Sequence, residues 1–413
     1  MSETTNPEDT GQNHLVIEWL SRVDPDRPFL KTVDRVWTYG ESLSEVSQRV
    51  SDEVVSLDPH LDADSVFDCL GAIADGGAVL LGPDIEDPRE SIPDGTALVV
   101  FTSGTGGRPK GVRLTMENLE AASVASRGHL GHGESDTWLL AMPLHHVAGV
   151  SILVRSVYVG GSVRLLPGFD ANTFSAALRG DVTMVSVVPT MLHRMLDYDP
   201  GPYEGLRAVL VGGGPISDGL LARGAKAGLP VLPTFGMTET FGQVATLKPG
   251  SSLEPHAHPL PGIQLRIEPD GRIAVKSLQV FAGYLGESDR EDDWFVTSDL
   301  GGLDDDGALS VSGRVDAVIV TGGENVDPVR VEIELLAHSG VDDVVVVGIP
   351  DEEWGEMLAA VYVGSATEEA LAFDLGKRLP RHMVPTKWLT VDAIPKTALD
   401  KDDRSAARAL LMG

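Results

Sequence analysis

Cysteine occurs once in the 413 residues, as Cys69 in the apolar run VFDCLGAIA, so neither an intrachain disulfide nor a cysteine-built zinc cluster is possible. A small buried hydrophobe is the expected role of that side chain. Long hydrophobic runs are missing too: LGAIADGGAVLLG is interrupted by an aspartate and by glycines, which excludes a membrane-spanning helix there. The opening MSETTNPEDTGQNH has neither the basic nor the apolar region of a secretion signal, and a cytoplasmic protein is expected. Positive charge is the third shortage. Lysine and arginine total 32 against 62 aspartates and glutamates, a formal charge of -30, which disfavours nucleic-acid and anionic-membrane partners. The acids are dispersed along the chain instead of forming one tail, a composition suited to a salt-rich cytoplasm and hence to a halophilic protein. Lysine is so scarce that Lys110 and Lys401, each inside a motif, stand out.

The length supports two or three packed domains. Between residues 97 and 247, short apolar runs (ALVVF, TWLLAMP, SVRLLP, VTMVSVVP, LRAVLVGG, PVLPTFG) alternate with segments of helical period. This pattern predicts an α/β body, a parallel sheet with crossover helices, with Thr115, Asp170 and Ser217 as helix N-caps. From 262 to 313, alternating residues and Asp-Gly turns predict a small antiparallel sheet. The remainder, with strands in DAVIVTGG, DDVVVVGIPD and WLTVDAIP and helices in EEALAFDLGKRL and DDRSAARALL, predicts a compact α+β unit. The expected division is 1–314 and 315–413.

The strongest local signal is LVVFTSGTGGRPKGV, where a buried strand empties into Thr102, Ser103, Gly104, Thr105, Gly106, Gly107 and Lys110. Glycines let backbone amides approach an anion, hydroxyls add donors and the lysine adds charge, a combination suited to a nucleoside triphosphate. Gly111 follows Lys110 where kinases and GTPases place a magnesium-binding Ser or Thr, so this is a different phosphate loop. Such a density of these residue types argues against an ordinary Gly-rich surface turn.

In that loop the chain resembles the adenylate-forming superfamily of acyl-CoA synthetases, luciferases and adenylation domains. The likeness continues through TFGMTET, TSDLGGLDDDG, GRVDAVIVTGGENVDPVRVE and PKTALDK. It implies a large N-terminal AMP-binding domain and a small mobile α+β C-terminal domain. It also implies ATP, magnesium and coenzyme A as reactants. By likeness Gly212, Gly213 and Gly214 flank the adenine and Phe235 stacks on it. Thr238 meets the α-phosphate and Glu239 the magnesium. Asp299 takes the ribose hydroxyls, Arg314 holds ribose or phosphate, and Gly322 and Gly323 line the thiol tunnel. Lys401 reaches the acyl carboxylate and the α-phosphate, with Asp316 as the hinge about which the small domain turns.

The stretches PLHHVAGVSILVRSVYVGGSVRLLPGFD and VTMVSVVPTML are similar to those of the o-succinylbenzoate-CoA ligases of menaquinone biosynthesis. Such a substrate carries two carboxylates, and His146, Ser151, Arg155 and Thr190 are the residues placed to face it; His146 belongs to a motif that many acyl-CoA synthetases share. Another aryl or fatty acid as substrate, an amino-acid adenylation domain, and a non-catalytic nucleotide-binding module are the rival readings. The pattern departs from the family's at Gly106, at Ser298, at Ala317 and at Asp400. Only about sixty residues separate WTYGESL from the phosphate loop, so the N-terminal region is abridged, with VFDCLGAIADGGAVLLGP as the remnant of one βα unit. A homo-oligomer is compatible with the sequence, which does not choose an oligomeric state.

Overall fold

The computed structural model describes residues 15–50, 55–57, 60–74, 79–81, 92–102, 110–214, 216–251, 257–396 and 402–413. Its centre is a nine-stranded sheet. From one edge the order is His258–Pro259, Gly242–Thr246, Val231–Met237, Ala208–Val211, Met184–Val187, Thr137–Leu140, Ser162–Leu165, Pro28–Lys31 and Val36–Thr38. The six strands from Val231–Met237 to Pro28–Lys31 are parallel, and antiparallel strands close both edges. TWLL and AVLV are buried at every residue, as expected of strands covered by helices on both faces.

The predicted caps are present. Thr115 accepts a hydrogen bond from the Asn118 amide, Asp170 from that of Thr173 and Ser217 from that of Leu220, each satisfying an amide that the first helical turn leaves unpaired. The helices they open are Met116–Leu130, Ala171–Leu178 and Asp218–Lys226. A further helix, Val147–Val159, lies within the run PLHHVAGVSILVRSVYVGG.

Two expectations are corrected. ALVVF does not join the parallel sheet. Thr96–Thr102 pairs antiparallel with Lys110–Thr115 in a separate five-stranded sheet completed by Gly283–Tyr284, Val79–Leu81 and Val55–Leu57. A continuously apolar strand carries no mark of which sheet it will enter, because either partner buries it equally. The N-terminal remnant is also larger than one βα unit: Val55–Leu57, the helix Ala63–Ala74 and Val79–Leu81 form a parallel βαβ. Cys69 is wholly buried on that helix, and burial pushes its thiol up to about 12.

The antiparallel sheet expected after residue 262 has the order Gln264–Ile267, Arg272–Lys276, Phe295–Leu303, Leu309–Arg314. Beyond it, Gly355–Gly364 pairs with Val341–Asp351, Ile319–Thr321 and Lys387–Thr390, and Glu324–Val326 completes the sheet. The helices Pro328–Leu336, Glu368–Arg378 and Arg404–Met412 accompany it. One hydrophobic core runs from Val16 to Leu309, and two smaller clusters lie between Ile319 and Leu411. No helix among the described residues is long and apolar enough to cross a membrane.

Candidate active site

In the large sheet, the strand after Thr137–Leu140 pairs on one side of it, and the next strand, Met184–Val187, pairs on the other. The chain therefore reverses its direction of winding at Thr137–Leu140, the kind of point beside which doubly wound sheets bind ligands beyond the carboxyl ends of their strands. Several of the sequence-derived site residues sit at or just beyond those ends. His146 is the N-cap residue of Val147–Val159, with its ring 4.5 Å from that of His145. Thr190 stands in the first turn of Pro189–Tyr198. Gly212, Gly213 and Gly214 follow Val211, and a Cβ on Gly212 would lie 2.8 Å from the Thr234 carbonyl oxygen of the adjacent strand. Gly213 has φ +78°, and a Cβ on Gly214 would be 3.7 Å from Pro189, so the glycine turn abuts the segment bearing Thr190.

Phe235 lies on Val231–Met237 and packs against the main core, opposite Ala245. The strand ends in a tight hairpin whose 3₁₀ turn is Thr238–Thr240. Its closure demands glycine at Gly236, where a Cβ would meet the Gly242 carbonyl oxygen at 2.1 Å. Glu239, half-buried at this tip, accepts a hydrogen bond on Oε1 from the Tyr284 hydroxyl at 2.9 Å. Burial and the Glu239 carboxylate together push the Tyr284 phenol above its ordinary range, so it stays protonated and donates. Lys110 Nζ stands 4.8 Å from the centre of the same ring. Thr102, at the end of the facing strand, donates from its hydroxyl to the Lys110 carbonyl at 3.4 Å. Ser103, Gly104, Thr105 and Gly107 lie outside the described residues, as does Lys401.

Arg155 is 5% exposed. Its guanidinium donates to the Ser151 carbonyl at 2.8 Å, to Ser151 Oγ at 2.9 Å and to Gln243 Oε1 at 2.8 Å, and it stands 5.2 Å from the Trp138 ring centre. All three hydrogen-bond acceptors are neutral. Burial lowers its pKa to about 10, which still leaves it charged at neutral pH. Gln243 is fixed by Ser126 Oγ at 2.9 Å and by its own bond to Thr246 Oγ1 at 3.0 Å. Near this cluster His132, 1% exposed, has no hydrogen-bond partner for either ring nitrogen among the described residues. Desolvation, then the Arg155 charge, lower its pKa to about 3.

The remaining residues lie in other sheets. Asp299 and Arg314 are cross-strand partners joined at 3.1 Å. Gly322 and Gly323 form the turn between Ile319–Thr321 and Glu324–Val326, with φ +57° and +83°. A Cβ on Gly322 would lie 2.5 Å from the ring of Trp354, whose carbonyl accepts the Gly322 amide at 2.9 Å. Asp316 falls in the short 3₁₀ turn Val315–Ala317. Sequence reasoning missed Tyr284, Gln243 and His132. Tyr284 and His132 sit in no phosphate or catalytic motif, and Gln243 betrays itself only as a polar residue inside the strand GQVAT.

The large sheet is of the doubly wound α/β type, the class in which ligands bind beyond the carboxyl ends of the strands. A family model described as AMP-binding enzyme matches residues 38–285, and one described as AMP-binding enzyme C-terminal domain matches 330–401. A 2-succinylbenzoate--CoA ligase of Bacillus mycoides is 37% identical over 390 residues, covering 87% of this chain and 79% of that protein. One from a Geobacillus species is 39% identical over 342 residues, covering 77% and 70%. The chain belongs to the AMP-binding enzyme family. A solved o-succinylbenzoate CoA synthetase of Bacillus subtilis, in complex with its acyl-adenylate intermediate, superposes with a TM-score of 0.83 at 27% identity, over 96% of this chain and 98% of that one. The same enzyme in complex with ATP and magnesium superposes at 0.82 with 28% identity, over 95% and 98%.

Proposed function

We propose that the protein is an AMP-forming carboxylate-CoA ligase that converts o-succinylbenzoate to o-succinylbenzoyl-CoA in menaquinone biosynthesis. The relatives and solved structures bearing that activity support the reading, and one observation in the chain itself carries it. Arg155 is a buried cation held only by neutral hydrogen-bond acceptors among the described residues. A buried charge is expensive unless it is paired. A substrate with a second carboxylate supplies the missing partner, whereas a simple fatty or aryl acid does not.

In the first half-reaction, a carboxylate oxygen of the succinyl arm attacks the α-phosphorus of ATP. The new bond joins that oxygen to phosphorus, and the bond to pyrophosphate breaks. Thr238 donates to the α-phosphate oxygens at the hairpin tip, Phe235 offers its face to the adenine, Gly212 to Gly214 let the base approach the backbone, and Asp299 accepts from the ribose with Arg314 beside it. Lys110, with Thr102, Ser103, Gly104, Thr105 and Gly107, binds the β- and γ-phosphates. Lys401 places its ammonium where negative charge builds between carboxylate and phosphate. Glu239 suits magnesium, a hard cation that takes one or two carboxylates and completes its shell with phosphates and water. When bound, the metal neutralises the charge of the departing pyrophosphate.

In the second half-reaction the thiolate of coenzyme A attacks the acyl carbon, a carbon–sulfur bond forms and AMP leaves. Residues 1–314 and 315–413 act as two domains, and rotation about Asp316 exchanges Lys401 for the turn at Gly322 and Gly323, which lines the thiol path. His146 and Thr190 flank the acyl group with Ser151. The dispersed acidic charge suits a salt-rich cytoplasm, with soluble small-molecule partners and no nucleic acid.

The test is formation of pyrophosphate and acyl-CoA with ATP, magnesium and coenzyme A in high salt. The acids offered are o-succinylbenzoate, benzoate, coumarate, octanoate and acetate, with Lys401→Ala as control. Thioester from o-succinylbenzoate alone, lost in the variant, is the expected result. Product from another acid discards the substrate and keeps the chemistry, and no product from any acid discards both.

A further inference from the structure

The segment from Phe281 to Leu285 straps two parts of the site together. The Phe281 amide donates to the Glu239 carbonyl at 2.8 Å, which holds the backbone of the hairpin tip. The Ala282 amide donates to the Arg113 carbonyl at 3.0 Å and the Leu285 amide to the Gly111 carbonyl at 2.7 Å, which hold the strand that leaves the phosphate loop. Gly283–Tyr284 pairs with that strand, Tyr284 opposite Val112. Between these anchors the Tyr284 ring packs edge-on against Phe281, with centroids 4.8 Å apart. Its hydroxyl reaches Glu239 Oε1 at 2.9 Å, and its ring has Lys110 Nζ 4.8 Å from the centre. The backbone bonds alone would hold the strap; the hydroxyl is not needed for them.

We propose that Tyr284 is a positioning residue for adenylation, its hydroxyl fixing the Glu239 carboxylate in the orientation that receives the metal of the ATP complex while its ring locates Lys110. The inference rests on the reading of Glu239 as the metal-binding carboxylate. A donor to one oxygen of a carboxylate limits its rotation and directs the other oxygen, the usual way an outer partner orients a metal ligand. Because both contacts are made by one side chain, the metal carboxylate and the phosphate lysine share a single reference point, although they come from different sheets.

Tyr284→Phe removes the hydroxyl and keeps the ring, its packing on Phe281 and its place beside Lys110. In the full chain, binding of manganese in the presence of a non-hydrolysable ATP analogue, followed by electron paramagnetic resonance, is expected to weaken about 10-fold, the lower end of what loss of an outer partner does to a metal site. The magnesium concentration for half-maximal pyrophosphate release should rise in step, while thioester formation from supplied acyl-adenylate stays at the native rate. Tyr284→Leu should further raise the KM for ATP through Lys110. Unchanged manganese affinity in Tyr284→Phe, with Glu239→Gln weakened, overturns the proposal and leaves the Glu239 reading standing. Unchanged affinity in both variants overturns the two together. Equal losses in both half-reactions reduce Tyr284 to a structural residue and also overturn it.

Discussion

Replacing Arg155 by methionine tests the proposed pairing of its guanidinium with the second carboxylate of the substrate. Methionine preserves an unbranched apolar stem against Trp138 and removes the charge. In the native chain the guanidinium is desolvated, with Ser151 and Gln243 as neutral acceptors. Truncating one partner of a buried, hydrogen-bonded charge pair costs about 2–5 kcal/mol. At about 1.4 kcal/mol per factor of ten, kcat/KM for o-succinylbenzoate should fall between roughly 30-fold and a few thousand-fold. The assay compares that acid with 4-oxo-4-phenylbutanoate, which lacks the ring carboxylate but presents the same arm for activation. The variant should lose the first and keep the second within a few-fold. Gln243→Glu supplies an internal counter-charge and should erase the same preference with Arg155 still present. An equal fall for both acids in Arg155→Met, or no fall for either, would refute the reasoning.

Three other outcomes follow from the same geometry. His132 titrates near its ordinary value when unfolded and at about 3 when native; the unfolded chain therefore binds more protons between those values, and stability falls as pH drops below about 6.5. At pH 5 the loss from this one group is about 2 kcal/mol, and urea unfolding of His132→Leu at pH 7 and pH 5 should show that much less acid sensitivity; identical pH dependence would count against the buried neutral imidazole. Gly236→Ala forces a Cβ to 2.1 Å from a backbone oxygen. It should destabilise the large domain by about 3 kcal/mol or more in thermal unfolding and abolish adenylation, since the tip bearing Thr238 and Glu239 cannot close. With a formal charge of -30, the melting temperature and the activity should both fall as salt is withdrawn, because self-repulsion is then unscreened; full stability in low salt would exclude that.

The strand-end glycines and the TFGMTET segment were legible through the family resemblance, and the structure gives their glycines a steric reason. A backbone carbonyl beside Gly212, a facing strand beside Gly236 and a turn of positive φ at Gly213 each leave glycine as the residue that fits. The three caps were legible from the residues alone, since a Ser, Thr or Asp must precede the turn whose amide it satisfies. The strand ALVVF showed the limit. Its apolar run announced burial, but membership of the second sheet depended on its pairing with Lys110–Thr115 on one side and Val79–Leu81 on the other, partners that its own residues do not name. The helix Pro328–Leu336 carries both an Asp327 cap and an N-terminal proline, local signals of a helix start.

By itself the sequence determined the chemical inventory. It limited the chain to one thiol, gave it a strongly acidic composition, and fixed the order of the motifs that carry the family resemblance. The tertiary structure alone decided what those groups touch. It set Tyr284 between Glu239 and Lys110, and it closed neutral Gln243 and Ser151 around Arg155. It also stripped His132 of water beside that charge. Periodicity and capping act over a few residues and are written in the chain. Desolvation and pairing depend on which distant segments exclude water from one another, and this is settled only when the sheets close.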